Sequence, residues 1–202
     1  IEGKDQKFIG TWVFTQISSD VRVKKVDEEN PSKVLSGATF VLKGKCETEG
    51  YEDVEIEKTA VSGEDGTALF EDVPYGTYTV TETDPPNGYL LPEEKTQKVE
   101  IRDSKKEGKV YDLTFKDAPE YKVTHEFVSG TEGRELPEEI VGRTPDDQTG
   151  KKDGETVMPS SFDRTDLVVT DGTWSFTSWD EESKKIDGED QKFIGTWVFT
   201  QV

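Results

Sequence analysis

Residues 78–89 read Tyr78-Thr79-Val80-Thr81-Glu82-Thr83-Asp84-Pro85-Pro86-Asn87-Gly88-Tyr89. In an extended chain Tyr78, Val80 and Glu82 share one face, while Thr79 and Thr81 share the other. Asp84-Pro85-Pro86-Asn87-Gly88 then supplies a turn, since proline cannot continue a ladder and Asn-Gly accepts tight backbone. A strand whose apolar face ends in a carboxylate, followed at once by a turn, predicts a β-domain with an acid at the edge of its core.

The same parity recurs twice. In Val21-Arg22-Val23-Lys24-Lys25, Lys25 continues the face of Val21 and Val23. In Tyr111-Asp112-Leu113-Thr114-Phe115-Lys116-Asp117, the apolar odd positions lead to Asp117. A buried charge costs several kcal/mol unless it is paired or neutralised, so three such positions are expensive unless they meet. Two readings stay open on these residues alone. One is a buried salt-bridge cluster of Lys25, Glu82 and Asp117. The other is a reaction: desolvation disfavours charge on a buried amine and a buried acid alike, giving a nucleophilic Lys25 amine and a protonated Glu82. Glu82 would then polarise the Asp117 carboxyl and shuttle protons, and the product would be an amide plus one water. Positioning by the fold can supply about 7–11 kcal/mol of such a barrier without a cofactor.

Further outward, short alternating runs are punctuated by Gly63-Glu64-Asp65-Gly66, Pro74-Tyr75-Gly76 and Asp171-Gly172, the spacing of a sandwich or small barrel. Val outnumbers Leu 20 to 8, a β-branched bias that suits pleated sheets. One helical stretch is expected, Arg134 to Arg143, with Pro137 near its start, Ile140 and Val141 as its apolar stripe and Gly142 at its end. Ala118-Pro119-Glu120 separates two regions of strand pattern and predicts a short, stiff joint. At 202 residues, two domains of ordinary size fit better than one.

The first 16 residues return as Ile186 to Gln201 with 14 identities. In the second copy Phe193, Gly195, Trp197 and Phe199 alternate with Ile194, Thr196, Val198 and Thr200, the pattern of a strand with a buried face. That strand reads as the last of a domain, so the first copy reads as the end of a preceding repeat in a tandem array.

Residues 21–118 resemble the CnaB-type, prealbumin-like (SpyCatcher-like) isopeptide domains of Gram-positive adhesins and pilins. Val23-Lys24-Lys25-Val26-Asp27 matches the first-strand lysine motif, and Leu35-Ser36-Gly37-Ala38-Thr39-Phe40 matches the L-x-G-A-x-F segment. Tyr78 through Tyr89 matches the E-box, Y-x-x-x-E-T-x-x-P-x-G-Y, and Phe115-Lys116-Asp117 stands where the last strand carries the acceptor. The resemblance implies an Ig-like sandwich in which Lys25 is the nucleophile, Glu82 the catalytic acid/base and Asp117 the acceptor of one autocatalytic bond. From Tyr121 onward the chain resembles the SHIRT repeats of streptococcal surface proteins, in Tyr121-Lys122-Val123-Thr124-His125-Glu126-Phe127, Glu135-Leu136-Pro137-Glu138-Glu139, Asp171-Gly172-Thr173-Trp174 and Gly195-Thr196-Trp197. That family implies β-rich modules stacked end to end in an elongated rod. The expected organisation is the final strand of a SHIRT repeat at 1–17, a CnaB-type domain at 18–119 and a SHIRT domain at 120–202.

The resulting expectation is a stalk segment of a cell-wall-anchored, extracellular adhesin, its anchor outside this piece, flanked by further modules and projecting a distal domain that binds the host ligand. The alternative is an adhesive module in which Trp174, Trp179 or Trp197 meets a matrix protein or glycan. A net charge of −19 argues against nucleic acid, and no apolar run is long enough to span a bilayer. Cys46 cannot form an internal disulfide and reads as a half-buried strand residue. A multiple-turnover enzyme is not expected, since His125 is the sole histidine and shares a face with Val123 and Phe127. Asp27-Glu28-Glu29-Asn30 and Asp146-Asp147 lack the spacing of a calcium loop and read as solvated charge; no metal or cofactor is expected. Residues 1–16 carry Phe8, Trp12 and Phe14 on one face and are expected to pair with the Ile186–Gln201 strand site of another molecule.

Overall fold

The computed structural model describes residues 17–52, 54–105 and 108–202, so the first copy of the repeat, and its expected pairing, lie outside the described residues. The chain gathers into two compact units. One takes the described residues up to Val26, with Lys33–Pro85 and Glu93–Phe115. The other takes Asp27–Ser32, Pro86–Pro92 and Lys116–Val202.

In the first unit, β1 (Ser18–Asp27), β4 (Thr67–Pro74) and β8 (Val110–Pro119) form a sheet in the order β4-β1-β8. The end of β8 also pairs with the short β6 (Tyr89–Leu90). A second sheet holds β2 (Thr39–Cys46), β3 (Glu55–Val61), β5 (Gly76–Asp84) and β7 (Thr96–Ile101), in the order β3-β2-β5-β7. Alternation turns one face of each sheet to a common core. Val21, Val23, Ala68, Phe70 and Phe115 come from the first sheet, and Phe40, Leu42, Tyr78, Val80 and Ile101 from the second. Two apolar faces packed on each other make the expected sandwich. The chain changes sheets between β4 and β5 across Tyr75 alone.

Two contacts fix the direction of β8 against β1. Arg22 grips Asp112 through Nε–Oδ1 (2.6 Å) and Nη2–Oδ2 (3.1 Å), and the Glu28 N–H donates to the Asp117 carbonyl at 2.8 Å. Partners advance together along both strands, so the first and last long strands of this fold are parallel neighbours.

The second unit is built on a five-stranded sheet ordered β10-β9-β15-β13-β12. Its strands are β9 (Tyr121–Ser129), β10 (Gln148–Lys151), β12 (Leu167–Val169), β13 (Gly172–Trp179) and β15 (Gln191–Gln201); β11 (Thr156–Val157) and β14 (Lys184–Lys185) pair separately. The strand read from sequence as the last of its domain is indeed last, and it lies at the centre of the sheet. Phe193, Gly195, Trp197 and Phe199 are all buried, as alternation required. Trp197 and Phe199 pack with Phe127, Ile140 and Trp174, and Phe193 packs with Val123, Val157 and Ile186. Such rings bury about 150–250 Å² each and dominate a small core.

The expected helix is shorter than read. Only Glu138–Val141 is helical, because Pro137 at its N-cap position is extended (φ −61°, ψ 147°) and Arg143 is already past the end. Ile140 is core, whereas Val141 is exposed, so the apolar stripe is a single residue. Between β8 and β9 stands Glu120 alone. Its N–H donates to the Gly88 carbonyl (2.9 Å), and its Oε1 accepts from the Gly150 N–H (2.8 Å).

Candidate functional site

Lys25, Glu82 and Asp117 have 0% exposure, which sequence parity alone had placed inward. Lys25 lies on the buried face of β1. Its N–H donates to the Gly66 carbonyl (2.8 Å), and its carbonyl accepts from Leu35 N–H (3.0 Å). Gly66 permits that approach: its φ is +72°, and a Cβ there would stand 2.8 Å from the Lys25 oxygen and 2.7 Å from Val34. Glu82 lies opposite Phe40 on β2, with its N–H donating to the Lys95 carbonyl at 2.8 Å.

Lys25 and Glu82 meet directly. Lys25 Nζ donates to Glu82 Oε2 at 2.7 Å, with neither side chain exposed. Phe40 and Phe115 pack at a centroid distance of 5.0 Å, one opposite Glu82 and the other two residues before Asp117, so apolar rings exclude water from the neighbourhood. Asp117 is placed on β8, the strand that neighbours β1 in the sheet. A low-dielectric site of this kind strengthens each polar interaction and penalises each unbalanced charge.

One residue of the neighbourhood escaped the sequence reading. Asp27 was read with Glu28-Glu29-Asn30 as solvated charge, but it is only 3% exposed. Its Oδ1 accepts from the N–H groups of Glu29 (2.9 Å) and Asn30 (3.0 Å), and its Oδ2 accepts from the Tyr89 hydroxyl (2.8 Å). The last tyrosine of the opening motif thus holds the end of β1. The signal was present, since Asp27 is the next step in the odd series Val21, Val23, Lys25.

Of the three tryptophans, Trp179 is half-buried and lines an open cleft with Met158, Arg164 and Phe176. Trp174 and Trp197 are 2% and 0% exposed and belong to the core, so neither is a glycan platform. His125 sits between Trp179 and Phe193, and its Nε2 accepts from the Ser160 N–H at 3.0 Å; burial lowers its pKa. Cys46 is fully rather than half buried at the end of β2. Tyr78 is a core ring whose hydroxyl burial pushes up to about 12, helped by the nearby Cys46 and Glu47. No helix among the described residues is long and apolar enough to cross a membrane.

Residues 19–118, a span holding Lys25, Glu82 and Asp117, match the prealbumin-like fold domain of the SpaA type, and residues 119–200 match the SHIRT domain. SHIRT domain 10 of a streptococcal cell surface protein is 49% identical over 41% of this chain and 99% of that domain, with a TM-score of 0.39. SHIRT domain 2 of a cell surface protein is 39% identical over 39% of this chain and 93% of that one, with a TM-score of 0.30. Domains D2 and D3 of the major pilin SpaD from Corynebacterium diphtheriae are 22% identical over 50% of this chain and 47% of that one, with a TM-score of 0.39. No curated protein sequence matches the chain. These matches define two kinds of domain in succession, a prealbumin-like fold domain and a SHIRT domain. By its identity across nearly the whole of a SHIRT domain the chain belongs to the SHIRT family, with a prealbumin-like domain preceding the SHIRT domain.

Proposed function

We propose that the chain is a stalk segment of an extracellular, cell-wall-anchored Gram-positive adhesin, whose first domain locks itself through a CnaB-type Lys25–Asp117 isopeptide bond with Glu82 as acid/base. The observation that carries this reading is the fully buried 2.7 Å contact between Lys25 Nζ and Glu82 Oε2. Proton transfer along that hydrogen bond converts an ammonium and a carboxylate into a neutral amine and a neutral acid, the form a dry site favours. The amine nitrogen then attacks the Asp117 Cγ while protonated Glu82 hydrogen-bonds the carboxyl oxygen. In the tetrahedral adduct Glu82 gives that proton to an oxygen of the former Asp117 carboxylate, takes a second proton from the nitrogen, and delivers it to the leaving hydroxyl as the C–O bond breaks. One amide and one water result, and Glu82 ends as it began, so no cofactor is consumed.

Placement supports the acceptor role. β1 and β8 are parallel neighbours near the start and end of the domain, so a bond between them would carry tension past the residues in between. The wider proposal divides the chain into 1–17 as the closing strand of a preceding SHIRT repeat, 18–119 as the cross-linked domain and 120–202 as the next SHIRT domain. Such modules would stack into a rod that presents a host-binding domain lying elsewhere, and residues 1–16, cut from their own repeat, would pair with another molecule. Intact mass tests the core of this reading. The chain should weigh about 18 Da less than its sequence, by the addition–elimination balance above, and Glu82→Gln should restore the sequence mass in a folded protein. Sequence mass in the unaltered chain would remove the bond.

A further inference from the structure

The SHIRT unit has its own answer to tension, and it needs no covalent bond. Strand β9 opens the unit's five-stranded sheet and β15 closes it, and the two are hydrogen-bonded in parallel over seven consecutive pairs, from Gln191 opposite Val123 to Trp197 opposite Ser129. Most adjacent strands elsewhere in the unit are antiparallel. We infer that the β9–β15 pair is a shear clamp that makes this unit a force-bearing element in its own right.

The direction of pull decides the matter. Tension applied through the chain draws β9 towards its N-terminal end and β15 towards its C-terminal end. In a parallel pair those pulls oppose each other along the strands, so the ladder is loaded in shear and its hydrogen bonds must fail together. A pair loaded across its axis opens one bond at a time.

Three further features resist sliding. β15 is also laddered to β13 on its other side, from Gly172 opposite Gln201 to Trp179 opposite Gly195, so it is gripped from both flanks. Beyond the paired segment the Gly130 N–H donates to the Trp197 carbonyl (2.8 Å), and the Phe199 N–H donates to Thr131 Oγ1 (2.8 Å). Gly195 then acts as a keyhole. A Cβ there would stand 2.8 Å from both Phe127 Cδ1 and Trp179 Cζ3, so the Phe127 ring occupies the space that glycine leaves. A slip of one residue turns β15's apolar side chains to the wrong face, and a slip of two drives Phe127 against Phe193 or Trp197, where a side chain already stands. An exposed ion pair, Lys192 with Glu126, spans the same two strands.

The stalk reading says only that tension is present in use; the clamp holds whether or not Lys25 and Asp117 are joined. Single-molecule pulling of the full chain tests it. Handles at the two termini load β9 against β15 in shear. Handles on Lys122→Cys and Glu189→Cys, both exposed and near the adjacent strand starts that the Lys122 N–H to Asp190 Oδ1 bond (2.9 Å) ties together, load the same pair across its axis. The event to score releases about 80 residues in terminal pulling and about 67 between the two cysteine handles, at roughly 3.5 Å each. Terminal pulling should require about twofold the force or more, since many ladder bonds rather than one resist at once and forced unfolding follows the unfolding barrier. A terminal force no higher than the cross-axis force overturns the clamp. Both pulling geometries keep the core intact, and a failed isopeptide would show in the mass rather than in this ratio.

Discussion

Replacing Asp117 by alanine separates the proposed covalent bond from the Lys25–Glu82 pair. The variant keeps Lys25 and Glu82, whose 2.7 Å contact needs no acceptor, and removes only the carboxyl to be joined. A bond closing the roughly 90 residues between Lys25 and Asp117 restricts the unfolded chain by about 4–5 kcal/mol, if disulfide arithmetic carries over to an amide cross-link. For a domain of about 100 residues, where each kcal/mol shifts the midpoint by about 4–8 °C, that loss corresponds to a fall of roughly 15–40 °C in Tm. Lys25→Ala should fall further, because it also leaves buried Glu82 without its Lys25 hydrogen-bond partner, a loss that typically costs about 1–3 kcal/mol. Differential scanning calorimetry, read beside intact mass, gives both numbers on each protein. The unaltered chain should show a mass deficit of about one water together with a high first-domain transition, and Asp117→Ala should lose both. A deficit that survives in Asp117→Ala and Lys25→Ala, or a Tm for Asp117→Ala within a few degrees of the parent, would refute the reasoning.

Gly195→Ala should destabilise the SHIRT unit by about 1–3 kcal/mol through overpacking against Phe127 and Trp179, seen as a lower midpoint in urea with an unchanged slope. Tyr89→Phe removes the hydroxyl that donates to Asp27 at 2.8 Å and should cost about 1.5–3 kcal/mol, since hydrogen bonds to charged groups lie at the upper end of the range; an unchanged denaturation midpoint would show that Asp27 does not depend on it. Acidification should weaken the SHIRT unit through His125. Burial lowers its folded pKa below the ordinary value of 6.5, so the unfolded chain takes up the proton first. This contribution is intact above that value and is lost as pH falls through the folded pKa, with a slope of no more than about 1.4 kcal/mol per pH unit. His125→Gln should flatten that part of the profile, and an identical pH profile in the variant would exclude the effect.

Much of the first domain was legible because a strand has a period of two and nothing else needs to be known. Counting alternate residues from Val21, Tyr78 and Tyr111 was enough to turn Lys25, Glu82 and Asp117 inward. The same count, carried one step further to Asp27, would have overruled its appearance as part of an acidic turn. The β15 alternation was equally plain, but its partners were not. Strand pairing is set by three-dimensional closure over some 70 residues, and no local pattern announces that the first and last strands of a unit run parallel. The helix was overread for a related reason: Pro137 marks a start, yet nothing in Arg134–Arg143 states that a single buried residue, Ile140, is all the core requires of it.

The central place of β15 also bears on how such a protein is made. A chain emerging from a ribosome or a secretion channel presents β9, β13 and β12 well before the strand that lies between them. Until its last dozen residues arrive, β9 and β13 lack the strand that joins them, so the five-stranded sheet cannot close. This sequence carries that 16-residue segment twice, the copies agreeing at 14 of 16 positions. A second copy would compete for that closing step, and the order in which the strands emerge would decide which of them takes it.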